Sequence, residues 1–152
     1  MAELTRQDVI KLIAVSSKPI RLRGCDLSGL DLSKLQLSGV NLICANLRET
    51  DLSDADLLRT GLLNADLTNA NLTRANLSDA DLIGTDLTDA DLQEAMLRGT
   101  SFYEATLYNA NLKGACWEGA DFNGAMVNGR TVWPDDFDPG AFDLQWADAP
   151  LQ

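Results

Sequence analysis

A large apolar residue returns at every fifth position for more than a hundred residues, without a slip. Leucine holds the series from Leu22 to Leu97, and Phe102, Leu107, Leu112, Trp117, Phe122 and Val127 complete it. These 22 consecutive centres constrain the architecture before any local propensity is consulted, because a fixed period repeats one structural unit. Two residues before each centre stands a small or apolar side chain, most often alanine, as in Ala45, Ala70, Ala95 and Ala120. Between the two lies a short polar residue, usually Asp or Asn, as in Asp26, Asn46, Asp66 and Asn76. The remaining two positions are mostly polar or glycine.

Period five suits neither a single helix nor a flat strand. A helix would scatter the centres around its circumference, since five residues turn through ~500°. A strand would throw successive centres onto opposite faces, because its side-chain period is two. Two apolar positions flanking one polar residue do fit a short extended piece with both apolar side chains inward. The other residues must then turn the chain. Gly24, Gly39, Gly84 and Gly124, with Asn64, Asn69 and Asn109, stand where those turns fall. Glycine and asparagine tolerate the left-handed backbone such corners need. The pattern predicts a solenoid of short sides and tight corners.

The unit A-[DN]-L-x-x resembles the consensus of the pentapeptide repeat family, and the resemblance runs from Ile20 to Gly129. Leucine-rich repeats have a longer period and a different internal spacing. The resemblance implies an all-β fold, a right-handed quadrilateral β-helix with one pentapeptide per side and about 5.5 coils. At ~4.8 Å between strands the rod would be roughly 25 Å long. Three segments follow: 1–19 as a capping helix and link, 20–129 as the β-helix, and 130–152 as an irregular aromatic and proline-rich cap.

Both ends read as covers for the open coils, which every solenoid needs. Leu4, Val9, Ile10, Leu12 and Ile13 follow a helical period. Thr5 stands at N-cap with Asp8 three residues on, and Leu4 and Val9 occupy staple positions. Lys18-Pro19 is expected to end the helix. After Gly129 come Val132, Trp133, Phe137, Phe142 and Trp146 among prolines and aspartates. Asp138-Pro139 reads as an N-cap followed by proline at the first helical position. The string W-P-D-D-F-D-P-G-A resembles the tails of cyanobacterial family members, with Asp136 where glycine is common. Phe102, Trp117 and Phe122 are expected to meet this tail in wider last coils.

If four units make a coil, residues twenty apart stack. One outward ladder then alternates in charge, through Lys34, Asp54, Arg74 and Glu94, and Arg59–Asp79 and Arg98–Glu118 form similar pairs. Such pairs read as register-holding surface contacts, each worth roughly 0.2–1 kcal/mol. Another ladder is apolar: Ile43, Leu63, Ile83 and Tyr103 stack at a position occupied elsewhere mainly by polar residues. These four can pack on one another, lie under a terminal segment, or form a partner-binding stripe, since contiguous exposed apolar patches mark interaction sites.

The 152-residue chain carries a net charge of −11 and a sequence pI of about 4.2. That field opposes direct binding of nucleic acid. Much of the acidity belongs to the consensus position, where Asx side chains bond the local corner backbone. It is also uneven. The side carrying Asp26, Glu49, Asp66, Asp86 and Asp89 against Arg48 sums to −4, and the side carrying Arg21, Arg23, Asp81, Glu104 and Asp121 sums to −1. No apolar run approaches the ~20 residues of a membrane span, and the N-terminus lacks the features of a secretory signal. Cys25, Cys44 and Cys116 lack metal or disulfide spacing, so reduced thiols and a cytoplasmic location are expected.

Histidine is absent, which removes the commonest general base and metal ligand. No phosphate-cradling glycine motif occurs. Catalysis, cofactors and metals are therefore not expected. The reading is a rigid protein–protein interaction module whose partner is another cytoplasmic protein, the chain itself being a monomer or weak homodimer. The family resemblance adds an alternative, since some members mimic duplex DNA and bind DNA gyrase. The repeat nets only −8, against about fifteen phosphates over the same length of duplex at one per ~1.7 Å. A scaffold without a dedicated ligand is the third reading.

Overall fold

The computed structural model describes residues 4–16 and 20–148. The 22 pentapeptides wind into a right-handed quadrilateral β-helix, with a helix over one end and an aromatic tail over the other. Parallel bridges twenty residues apart tie each coil to the next, from Arg21↔Asn41 to Thr106↔Met126. Each unit repeats one set of backbone bonds. In the unit centred on Leu62, Leu62 N donates to Asp81 O (2.8 Å), Asn64 N to Ile83 O (3.0 Å), and Gly61 N to Val40 O (3.1 Å). Ala65 N closes the corner on Leu62 O at 2.9 Å.

The corner residue two after each centre is left-handed from Gly24 to Gly124. With its i to i+3 bond this is the type II turn, which needs positive φ at the third residue. Glycine and asparagine account for only part of the series. Lys34, Cys44, Glu49, Asp54, Arg59 and Arg74 take the same conformation, at φ between 55° and 61°. A non-glycine residue there costs roughly 1–2 kcal/mol, so inter-coil bonding and burial override local preference.

Every centre is buried except Trp117, which packs half-buried against the core. The small residues two before them are buried from Val40 to Ala125, while Cys25, Leu30 and Leu35 near the first coil are only half-buried. Threonine replaces alanine inside without leaving an orphan hydroxyl. Thr50, Thr60, Thr85 and Thr100 donate to the carbonyls of Leu27, Leu37, Leu62 and Leu77, at 2.7–3.3 Å. A buried hydroxyl so satisfied avoids the penalty for unpaired polar groups.

Helix α1 spans Arg6–Val15. Its capping box forms as the sequence predicts: Thr5 Oγ1 accepts from Asp8 N, and the Asp8 carboxylate accepts from Thr5 N at 3.0 Å. Val9 is fully buried on the core, with Leu4 and Ile13 packed beside it. Arg6 pins the helix to the first coil, donating to the Asp31 carboxylate (2.8 Å), the Asp31 carbonyl and the Ser33 carbonyl. The expected break at Lys18-Pro19 lies outside the described residues.

The tail does more than plug the last coil. Asn111↔Val132 keeps the ladder running with 21-residue spacing, and strand β1 (Met126–Val127) pairs in parallel with strand β2 (Gln145–Trp146) at 19. At the register change the Asn128 side chain accepts from Asn109 N, where a backbone carbonyl serves in the regular coils. Phe102 and Phe122 stack at 4.7 Å, and Trp133, Phe137 and Phe142 close around Phe122. Asp138 caps the 3-10 turn Pro139–Ala141 as expected. Val132 and Trp146, grouped with the sealing aromatics on sequence, instead stay exposed on ladder positions.

Candidate functional site

The side that begins the rod carries units centred on Leu22, Leu42, Leu62, Leu82, Phe102 and Phe122. Ile43, Leu63, Ile83 and Tyr103 each follow the buried centre, so the two-residue alternation of an extended piece turns them outward. Their carbonyls accept from Gly24, Cys44, Asn64 and Gly84 on the preceding coils at 2.9–3.0 Å. These bonds hold the four in one column. Ile43, Leu63 and Ile83 are half-buried, and Tyr103 is 44% exposed. The column's flanks are small or polar. Gly61 leaves room beside Ile43, and a methyl at the left-handed Gly84 would strike the Asn64 amide.

Charge is graded along this side. Arg21 and Arg23 stand at its start, exposed. Glu104 and Asp121 stand near its end, with Asp143 beyond, its backbone N–H held by the Asn123 side chain. The Glu104 carboxylate hydrogen-bonded to Tyr103, helped by nearby Asp121 and Asp143, holds the phenol above its usual pKa. Summing this side to −1 concealed the gradient; the order of charges along the ladder was the signal that could have found it.

Acidity on the other sides is structural in its bonding. Asp26, Asp31, Asp66 and Asp86 each accept from the backbone N–H two residues on, at 2.9–3.1 Å. Asparagines then stack on aspartates: Asn46, Asn71 and Asn76 donate to Asp26, Asp51 and Asp56, at 3.0–3.2 Å. Ser28 bonds, side chain first, hold the Asp26 carboxyl below its ordinary range. Burial raises the Asp66 carboxyl, but Thr68 and Arg48 outweigh it and keep it low. Of the expected ion pairs, Arg74–Asp54 (2.8 Å), Arg98–Glu118 (2.9 Å) and Arg59–Asp79 (3.7 Å) form, and Arg48–Asp66 (3.2 Å) joins them; among the described residues, Lys34 and Glu94, the outer members of the alternating ladder, make no ion pair. The sequence reading missed Arg48–Asp66 because it runs diagonally between ladder positions.

Cys25, Cys44 and Cys116 are free. Among the described residues, no three His, Cys, Asp or Glu side chains gather as metal ligands would, and no helix is long and apolar enough to cross a membrane.

The family model for pentapeptide repeats matches residues 20–57, 62–89 and 85–124, with eight copies. No curated protein matches the sequence. Among solved structures, the pentapeptide repeat protein Rfr23 of the cyanobacterium Cyanothece 51142 is 30% identical, with a TM-score of 0.73 over 74% of this chain and 90% of that one. A pentapeptide repeat protein of the Arabidopsis thaliana thylakoid lumen is 35% identical, with a TM-score of 0.63 over 64% of this chain and 68% of that one. QnrB1, a plasmid-mediated fluoroquinolone resistance protein, is 20% identical with a TM-score of 0.46 over 80% of this chain and 65% of that one, a likeness that carries no argument.

Proposed function

We propose a function from one established premise: the chain belongs to the pentapeptide repeat family. It acts as a non-catalytic, rigid protein–protein interaction module, and its contact face is the side bearing Ile43, Leu63, Ile83 and Tyr103. The observation that carries this reading is the column itself. Four apolar side chains on consecutive coils keep part of their surface in water, at a register the other sides fill mainly with polar residues. Continuous apolar surface of that kind marks interaction sites. The rigid coil presents it without a large ordering cost, which favours binding. The three free thiols support a reducing compartment, and the cytoplasm is the location we assign.

Mimicry of duplex DNA gains no specific support. The acids of the consensus position are bonded to their own corners and to stacked asparagines, as a repeat of this type requires.

The test is capture of proteins from a lysate of the source cell, with wild-type bait beside a Leu63→Arg/Ile83→Arg variant of unchanged circular dichroism. A protein retained by the wild type and lost by the variant is the expected result. Equal capture by both removes this face from the function.

A further inference from the structure

This inference rests on the reading of that side as a contact face, and it names an occupant. We infer that the face accepts a second copy of the same side, with the two rods antiparallel about a two-fold axis lying between Leu63 and Ile83. Such an axis, parallel to the short strands, lays the first coil of one copy over the sixth of the other. It places Leu63 opposite Ile83, Ile43 opposite Tyr103, and Arg21 opposite Asp121. Every apolar member of the column then meets another apolar member. The flanks also agree: Asn64 faces Gly84, and Asp81 faces Gly61.

Charge selects this arrangement. Among the described residues, Arg21, Arg23, Asp81, Glu104 and Asp121 form no ion pair within the chain. A parallel pairing would set the arginines of both copies together at one end and the acids together at the other, and like charges opposed across an interface cost affinity and register. The antiparallel pairing sets unlike charges at both ends, and it is self-complementary as a two-fold interface must be. Moving the axis by half a coil breaks the match, because it leaves Ile43 or Tyr103 opposite a polar residue. A side of six coils, about 24 Å long at ~4.8 Å per coil, falls short of the ~800 Å² per partner of a standard interface. The dimer is therefore weak and salt-sensitive.

The experiment is sedimentation equilibrium of the full chain from 10 µM to 1 mM, roughly the range of weak association, at low and high salt. The expected result is a weight-average mass that climbs toward twice the chain mass at low salt and falls back at high salt. Arg21→Glu and Asp121→Arg are expected to weaken self-association at least about tenfold each, because each homodimer would oppose like charges twice. Their equimolar mixture should recover wild-type association, since both junctions are then opposite in charge. Asp121 also holds the Asn123 corner, so Ile43→Asp with Tyr103→Lys provides the same reciprocal test where Asp121→Arg fails to fold. A wild type that stays monomeric to 1 mM overturns the inference, as does a mixture no tighter than its parts. A monomer that still loses lysate partners on Leu63→Arg/Ile83→Arg overturns only the self-pairing and leaves the interaction-module reading standing.

Discussion

The two ends of the rod solve the same problem with different chemistry. Each must cover an open apolar coil. At the start, α1 lays Val9, Leu4 and Ile13 on the first coil and is held by a capping box and by Arg6 on Asp31 and Ser33. Cys25, Leu30 and Leu35 stay half-exposed beside it. A groove lined by Ile10, Ile13, Ala14 and Lys34–Gln36 remains between helix and coil. At the far end the tail carries the ladder past Val127, and stacked rings fill the interior behind it. One end is a lid held by polar contacts at its edge; the other is a further, irregular coil. The lesson is that the cap which continues the backbone ladder buries the small inward residues of its coil, Ala115, Ala120 and Ala125, although Trp117 stays half-buried, while the cap that only rests on the coil leaves Cys25, Leu30 and Leu35 half-exposed. Local opening should therefore begin at the helix, because weakly packed elements open first.

The strongest attack on this comparison is Phe122→Ala. The ring is fully buried and touches Phe102, Trp133, Phe137 and Phe142. Its loss should cost roughly 3–5 kcal/mol in denaturant unfolding. Leu22→Ala, under the helix, should cost less, near the lower end of the ~2–5 kcal/mol range for leucine. Equal costs would mean that the two ends are sealed alike.

Thr5→Ala removes the N-cap and should cost roughly 0.5–2 kcal/mol. Hydrogen exchange would locate the damage. Amides of α1 and the first coil should speed up while those of Phe102–Val127 hold; uniform acceleration would contradict independent ends.

Asp136 accepts from the Trp117 indole at 3.0 Å, which gives a structural use to the residue that departs from the family tail. Asp136→Ala should cost about 0.5–1.5 kcal/mol, whereas Asp136→Asn keeps an acceptor and should cost less. An Asn variant as unstable as the Ala variant would show that the indole bond is not the cause.

Acid should distinguish the ends with the smallest effect. Asp8 is held low by Thr5, Asp26 and Asp31 by Ser28 and Ser33, and all three lie at the helix end. Their folded pKa values lie below the unfolded ones, so their contribution is full above about pH 4 and is lost as pH falls through the folded values. The aromatic end has Glu118, held low by Arg98, and no buried carboxylate among the described residues. Lowering pH from 5 to 3, across the ordinary carboxylate pKa of ~4, should expose the helix end to exchange first. Simultaneous exposure of Phe122 and its neighbours, read by aromatic fluorescence, would count against the comparison.

The inward pattern was legible residue by residue. Leu72 and Ala75 are buried because the five-residue beat puts them inside, and Asp66 bonds Thr68 N because a short Asx side chain reaches two residues on. The capping box at Thr5 and the turn at Asp138 were legible for the same reason, since both are local. What sat between ladders was not. Arg48–Asp66 and Arg6–Asp31 join residues whose proximity depends on how coils and helix pack, and no spacing announces them. The candidate face lies halfway. Its column of Ile43, Leu63, Ile83 and Tyr103 follows from spacing, but its partial exposure and its gradient from Arg21 to Asp121 needed the coil in place.

Sequence alone determined the period, the inward residues and the local caps, because each depends on side chains within about five positions of one another; the number of coils came from the resemblance to pentapeptide repeats, which implies four units per coil. Tertiary structure decided that lysine, arginine and glutamate would turn left-handed corners, that Val132 and Trp146 would stay exposed, and that the tail would extend the ladder. In each of these, bonds to a neighbouring coil outweigh the preference of the residue itself, and that neighbour lies some twenty residues away along the chain.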